Sequence, residues 1–444
     1  MKRQLLALAL LATLSAAAAP KLRVDTDKDA YDLGETMTFL VTAQENGAPV
    51  AANVTWELKS DFGQNDAKGQ ATLDPAAPLK VEAKMTKPGF ARLTVKLADE
   101  NFKPVKDVRF IASAGAALDQ LKGVPEPADF DAWWAKQRKI VDAVDLSLAA
   151  VKDASPAVAE KHKGMKVRSV AIPFEVDGKK QLATAWLIMP EGAAEKSVPF
   201  LTFQFQGYGF GGRTPTPWYN KTQAITLDVN AHGFELDREP EYYKEFEKGI
   251  RTPKYGYAFS PEENAKPETA YFRNMAFRVM RALQYVKSLP EWNGRSLVAE
   301  GGSQGGLQTS WAAGLDPDVT LARPSITWGC DFAMTSGARQ RLKGPWYIPY
   351  APGLDYFDSI NHIRRAKCPV EITRAGLGDY TCPPSGLAAY YNAISAPKSI
   401  LWVQGSRHGY IPPDPNQKFL VSAGHVQTGA ESKSQNASAD VKSN

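Results

Sequence analysis

Histidine and cysteine are scarce in this chain, and its acidic and basic charges nearly cancel. Five histidines and three cysteines occur in 444 residues. The cysteines, Cys330, Cys368 and Cys382, are too few for a disulfide-built scaffold. They leave room for one bridge at most, and spacing favours no pair. Their spacing also matches no zinc site. The formal charge is only +5, and the Lys and Arg residues form no stripe interleaved with aromatics. That argues against a nucleic-acid partner. Beyond the extreme N-terminus, no stretch is long and apolar enough to span a bilayer.

The N-terminus itself reads as a signal peptide over residues 1–19. Lys2 and Arg3 supply the charged start, Leu5 to Leu14 a short apolar core, and Ser15 to Ala19 the small residues of a cleavage site. Cleavage is expected near Ala17 or Ala18. A periplasmic or secreted protein with no membrane association after cleavage follows from this reading.

Residues 20–113 alternate apolar and polar positions in short runs: Leu22 to Val24, Met37 to Val41, Val54 to Leu58, Val81 to Ala83, Ala91 to Leu97 and Val108 to Ile111. Turn residues such as Asp32-Leu33-Gly34 and Lys87-Pro88-Gly89 separate them. Six strands at this spacing predict a small all-β sandwich, and Tyr31 to Thr36 resembles the start of bacterial immunoglobulin-like modules. No catalytic constellation lies within it, so a spacer or stabilising role is expected ahead of sugar binding. Residues 114–127 read as a linker. From residue 128 to 424 strands and helices alternate, which predicts an α/β domain with a mostly parallel sheet. Residues 425–444 read as a polar, disordered tail.

Chemistry concentrates at Gly301-Gly302-Ser303-Gln304-Gly305-Gly306, between a predicted strand and a predicted helix. Gly-x-Ser-x-Gly in that context is the nucleophile elbow of an α/β-hydrolase fold. A serine hydroxyl is scarcely ionised at neutral pH and needs a base. Of the five histidines, His162 precedes the sheet, His425 lies in the tail, His362 sits on a predicted helix, and His232 precedes the serine. His408 follows the last strong strand, where this fold carries its base. Asp379, after the strand Val370 to Ala375, is the expected acid, with Asp331 as the alternative. The oxyanion donors are expected to be the backbone N–H groups of Gln304 and Tyr208, the latter in the Gly-rich run Gln206 to Gly212. Gly207, Gly209 and His232 are expected to line the substrate pocket. The aromatic insertion from Gly212 to Arg273 reads either as a sugar-stacking cover or as local packing.

At these residues the chain resembles the acetyl xylan esterase / cephalosporin C deacetylase family of carbohydrate esterases, over about 127–413. The likeness rests on Pro127-Ala128-Asp129-Phe130, Gly207-Tyr208-Gly209, the serine block, Gly378-Asp379 with Cys382-Pro383-Pro384, Tyr391 to Ile394, and His408. It implies the triad Ser303, Asp379 and His408, removal of acetyl groups from small acetylated sugars, and no metal or organic cofactor. Family members assemble into homo-oligomers, but the added N-terminal β-domain stands in the way of carrying that over, so the assembly state stays open. Three positions depart from the family pattern: Gln206 replaces a His, Ala231-His232-Gly233 replaces Arg-Gly-Gln, and Gly409 replaces a Glu. Two other readings compete: a secreted serine peptidase of the prolyl-peptidase type, and a degenerate glycan-binding protein.

Overall fold

The computed structural model describes residues 19–198, 201–210, 214–215, 224–251, 254–414, 418–422 and 425–428. The expected signal peptide, apart from Ala19, and the tail beyond 428 lie outside them.

The N-terminal region forms two four-stranded antiparallel sheets. One holds Lys21–Thr26, Thr36–Glu45, Ala48–Pro49 and Leu79–Lys84; the other holds Ala67–Leu73, Ala52–Ser60, Gly89–Ala98 and Pro104–Ala116. Along Thr36–Glu45 every second residue, Met37, Phe39, Val41 and Ala43, is buried. This period of two is what one core-facing side of a strand requires. These residues pack with Val24, Val54, Leu93 and Val95 from both sheets into a single core. Each such side chain contributes about 1.5–3 kcal/mol on full burial. Two strands beyond the six expected are present. Ala67–Leu73 escapes the pattern because nearly all its side chains face solvent. The last strand runs on to Ala116, so the connection begins later than residue 114.

The rest of the chain folds as an α/β unit around an eleven-stranded sheet. Six central strands are parallel, in the spatial order Lys398–Val403, Val370–Gly376, Leu321–Ser325, Val298–Gly302, Leu201–Phe205, Ile225–Val229. The hairpin Met165–Val176 and Lys179–Pro190 extends one edge, paired from Met165↔Pro190 to Val176↔Lys179. Lys418–Ser422 and His425–Thr428 extend the other, so the expected tail begins with a strand. Helix Gln304–Leu315 is buried on all sides, which suits its Gly, Ala, Leu and Trp content.

The two regions share a boundary. Phe90 from the sandwich packs in the α/β core, its ring 5.8 Å from Trp402. Buried Asp61 accepts the N–H groups of Phe90 (3.1 Å) and Leu342 (2.7 Å) and lies 3.8 Å from Arg341.

Candidate active site

Strand Val298–Gly302 delivers the chain to Ser303, which stands at φ 59° and ψ −119°, and helix Gln304–Leu315 leaves from it. A serine seldom adopts this backbone, so the surroundings must hold it. The Ser303 N–H donates to the Ser325 carbonyl (2.9 Å), and its own carbonyl accepts from Trp328 N (3.0 Å) and Leu307 N (3.2 Å). The glycines have a steric cause. A Cβ on Gly305 would lie 2.1 Å from the Phe205 carbonyl oxygen, and one on Gly301 would lie 2.7 Å from the Gly305 backbone. Helix, strand and elbow can approach only with glycine at both positions.

His408 sits in a tight turn after strand Lys398–Val403, closed by Arg407 N to Tyr410 O (2.9 Å) and Tyr410 N to Arg407 O (3.1 Å). Its Nδ1 lies 2.9 Å from Oδ2 of Asp379, which is 1% exposed. Since a carboxylate accepts, Nδ1–H donates, and the neutral ring leaves Nε2 bare as a proton acceptor. The other Asp379 oxygen accepts from Thr381 N (2.9 Å) and Cys382 N (3.3 Å). The Ser303 side chain is within hydrogen-bonding reach of the Cys382 thiol, whose pKa burial pushes up, and that sulfur lies 4.0 Å from His408 Nδ1. Among the described residues, no hydrogen bond joins Ser303 to His408. Asp331 goes elsewhere: it is buried and paired with Arg339 and Arg341, so it is not the partner of His408.

Beside the serine, the Gln304 N–H opens a helix and has no partner four residues back. The partial positive charge of that terminus favours an anion there. The loop carrying Tyr208 faces it and is tied down by Tyr257. Gly209 N donates to the Tyr257 hydroxyl (2.8 Å), which donates to Gln304 Oε1 (2.8 Å). The Tyr208 ring stacks on Tyr257 at 4.1 Å, and Gln308 Nε2 holds the Gln206 carbonyl (3.1 Å). No protein acceptor takes the Tyr208 N–H among the described residues.

His232, expected in the substrate pocket, is 2% exposed and lies under this loop. Its Nε2 bonds the Gly209 carbonyl (2.9 Å), so that nitrogen carries the proton, and Nδ1 accepts from the Tyr271 hydroxyl (2.8 Å). Burial pushes its pKa down to about 3. His232 therefore supports the loop instead of touching a ligand. Gly207 is exposed at the site, whereas both polar atoms of the Gly209 backbone are engaged inside the protein. Tyr257, from the aromatic insertion, packs locally; Trp218 and Tyr219 lie outside the described residues.

A cavity of about 30 Å³ flanks the site, lined among others by Trp328, Phe332, Met334, Trp346, Ile348 and Cys382. All three cysteines are buried and free. Asp379, Cys382 and His408 bring three potential ligand atoms within 4.8 Å of one another, though Asp379 and His408 already bond each other.

The sandwich, expected to be a spacer or a stabilising appendage, packs against the loops that carry Asp379 and His408. The aromatic ring of Phe110 closes over Gly405, whose added Cβ would meet it at 2.3 Å. Ser113 Oγ lies 2.9 Å from the Tyr380 hydroxyl, beside Asp379.

Comparison with known proteins identifies the family and the fold. The chain is 26% identical over 394 residues to the acetyl esterase Axe7A of Xylanibacter ruminicola, covering 85% of this chain and 84% of that one. Two solved structures share the fold: an acetyl xylan esterase from Paenibacillus sp. R4 (TM-score 0.53, 24% identity, 66% of this chain and 94% of that one) and acetyl xylan esterase 1 from Thermoanaerobacterium sp. JW/SL YS485 (TM-score 0.53, 21% identity, 67% and 93%). The sequence profile of the acetyl xylan esterase (AXE1) family matches residues 116–339 and 351–422, well over half of the chain, and the chain belongs to that family of carboxylic ester hydrolases.

Proposed function

We propose that this protein is a serine esterase that removes acetyl groups from acetylated sugars, xylan-derived oligosaccharides among them, through an acyl-enzyme on Ser303. The observation that carries the reading is the 2.9 Å pairing of His408 Nδ1 with buried Asp379 beside the strained Ser303 turn. In the first step Ser303 Oγ attacks the acetyl carbonyl carbon and passes its proton to His408 Nε2. Asp379 holds the ring tautomer and stabilises the imidazolium. The carbonyl oxygen, now an anion, receives the N–H groups of Gln304 and Tyr208, and losing one such donor costs about 2.7–4 kcal/mol. The ester bond to the sugar oxygen then breaks, and His408 returns the proton to that oxygen. Water, deprotonated by the same ring, attacks acetyl-Ser303; acetate leaves, and His408 returns the proton to Ser303 Oγ.

The reading further takes the sandwich as immunoglobulin-like and the chain as exported to the periplasm or outside, on the strength of residues 1–19.

Release of acetate from acetylated xylo-oligosaccharides and from p-nitrophenyl acetate tests the assignment. Wild-type protein should release it and Ser303→Ala should not. Wild-type protein that leaves every short-chain ester intact would overturn the reading.

A further inference from the structure

The N-terminal sandwich contributes side chains to a second recessed surface that opens at His408. This groove, about 720 Å³, runs between the sandwich, the Lys343–Pro345 segment, the Asp379 loop and the His408 turn. Four cations line it: Arg92 and Arg109 from the sandwich, Lys343, and Arg407. Its one carboxylate, Asp379, is buried and already accepts from His408, Thr381 and Cys382. None of the four cations has a carboxylate within ion-pair distance among the described residues. Three lie against aromatic rings instead: Arg92 at 4.6 Å from Tyr380, Lys343 at 4.7 Å from Tyr347, and Arg407 at 5.3 Å from Tyr410. A ring face holds a cation in place without neutralising it. Arg92 Nε is buried and has no hydrogen-bond acceptor among the described residues. Tyr410 is 45% exposed on the same rim, a flat surface on which a sugar ring can stack.

The direction of the groove matters. His408 is the group that must return a proton to the departing sugar oxygen, so the sugar leaves from the His408 side. The groove therefore receives the alcohol portion of the ester. Anionic sugars carry carboxylate, sulfate or phosphate groups; a uronic-acid carboxylate is planar, and a guanidinium fork fits it in two-point contact.

We propose that the groove is a subsite for a carboxylate-bearing sugar on the leaving-group side of the acetyl ester, with the sandwich supplying half of its cations. The inference rests on the deacetylase reading above and adds the substrate class, acidic acetylated oligosaccharides.

The test compares an acetylated xylo-oligosaccharide that carries one uronic acid with the same molecule after reduction of its carboxyl to an alcohol. Wild-type kcat/KM should favour the acid about tenfold at low salt, and the preference should fall towards one at about 0.5 M NaCl. Arg109→Glu and Lys343→Glu, both at exposed positions, should each erase the preference, with the neutral substrate as the internal reference for folding. Equal kcat/KM for the two substrates at low salt would overturn the subsite, as would a preference that survives both charge reversals. Calorimetric binding of the de-esterified pair to the Ser303→Ala protein needs no turnover. Tighter binding of the acid there supports the subsite even if deacetylation fails, and equal binding overturns it even if deacetylation holds.

Discussion

Ser113 and Gln404, 291 residues apart, hold each other by two reciprocal hydrogen bonds: Ser113 N–H donates to Gln404 Oε1 at 3.0 Å, and Gln404 Nε2 donates to the Ser113 carbonyl at 2.9 Å. A side-chain amide here substitutes for one rung of a β-ladder. It ties the last sandwich strand to the turn that begins just after Lys398–Val403 and carries His408. Both residues are buried. Gln404→Leu would leave two buried backbone groups without partners, each costing about 1–3 kcal/mol. Unfolding in urea should therefore show a loss of about 2–6 kcal/mol, accompanied by a lower kcat as the His408 turn loosens. An unchanged midpoint would contradict the brace.

Tyr257 makes a similar prediction for the oxyanion loop. Its hydroxyl bridges the Gly209 N–H to the Gln304 side chain. Tyr257→Phe keeps the ring stacked on Tyr208 and removes both bonds. If the loop positions a donor used in the transition state, kcat on p-nitrophenyl acetate should fall about ten- to a hundredfold with little change in KM. A rise in KM at constant kcat would assign the loop to ground-state binding.

Much of the site was legible before the fold. Gly301, Ser303 and Gly305 betray themselves because only glycine permits the 2.1 Å and 2.7 Å approaches around the elbow. His408 and Asp379 follow from chain order after the last two strong parallel strands. Tyr257 and Gln404 do not, because each acts through contacts between segments far apart in sequence, and neither residue type signals that role. His232 misled for the same reason: a histidine in a loop near the site reads as a ligand contact until its two nitrogens are found occupied. In the fold, the alternating strands of the sandwich were visible, whereas Ala67–Leu73 was not, since an exposed strand carries no apolar alternation. Arg92 and Arg109 carry no sequence signal of a role at the site, because the groove they line forms between segments far apart in the chain.

The buried imidazole of His232 sets a pH dependence. Its pKa falls from 6.5 to about 3 on folding, because burial opposes the charged form. Between those values the unfolded chain binds a proton that the folded chain refuses, so this contribution to stability is complete above pH 6.5 and is lost as pH falls towards 3. His232→Gln removes it. The stability gap between wild type and variant should narrow by about 1.4 kcal/mol per pH unit below 6.5. Urea unfolding at pH 7, 6 and 5 measures this, and a constant gap would contradict the neutral, buried ring.

Asp379→Asn preserves shape while removing the charge that fixes His408. The amide can donate to Nδ1, which moves the ring proton to Nε2, the atom that must accept from Ser303. A fall in kcat of about three to four orders of magnitude is expected, with the fold intact by circular dichroism. The parallel substitution Asp331→Asn should leave the His408 tautomer alone and act instead on stability, through the Arg339 and Arg341 pairs.

The central claim is that the acyl group passes through Ser303. Rapid acid quenching of wild-type protein during turnover of p-nitrophenyl acetate, followed by peptide mass spectrometry, tests it directly. The account predicts one added acetyl group on the peptide containing Ser303, absent from Ser303→Ala. An acetyl group on a different residue, or full esterase activity retained by Ser303→Ala, would contradict it.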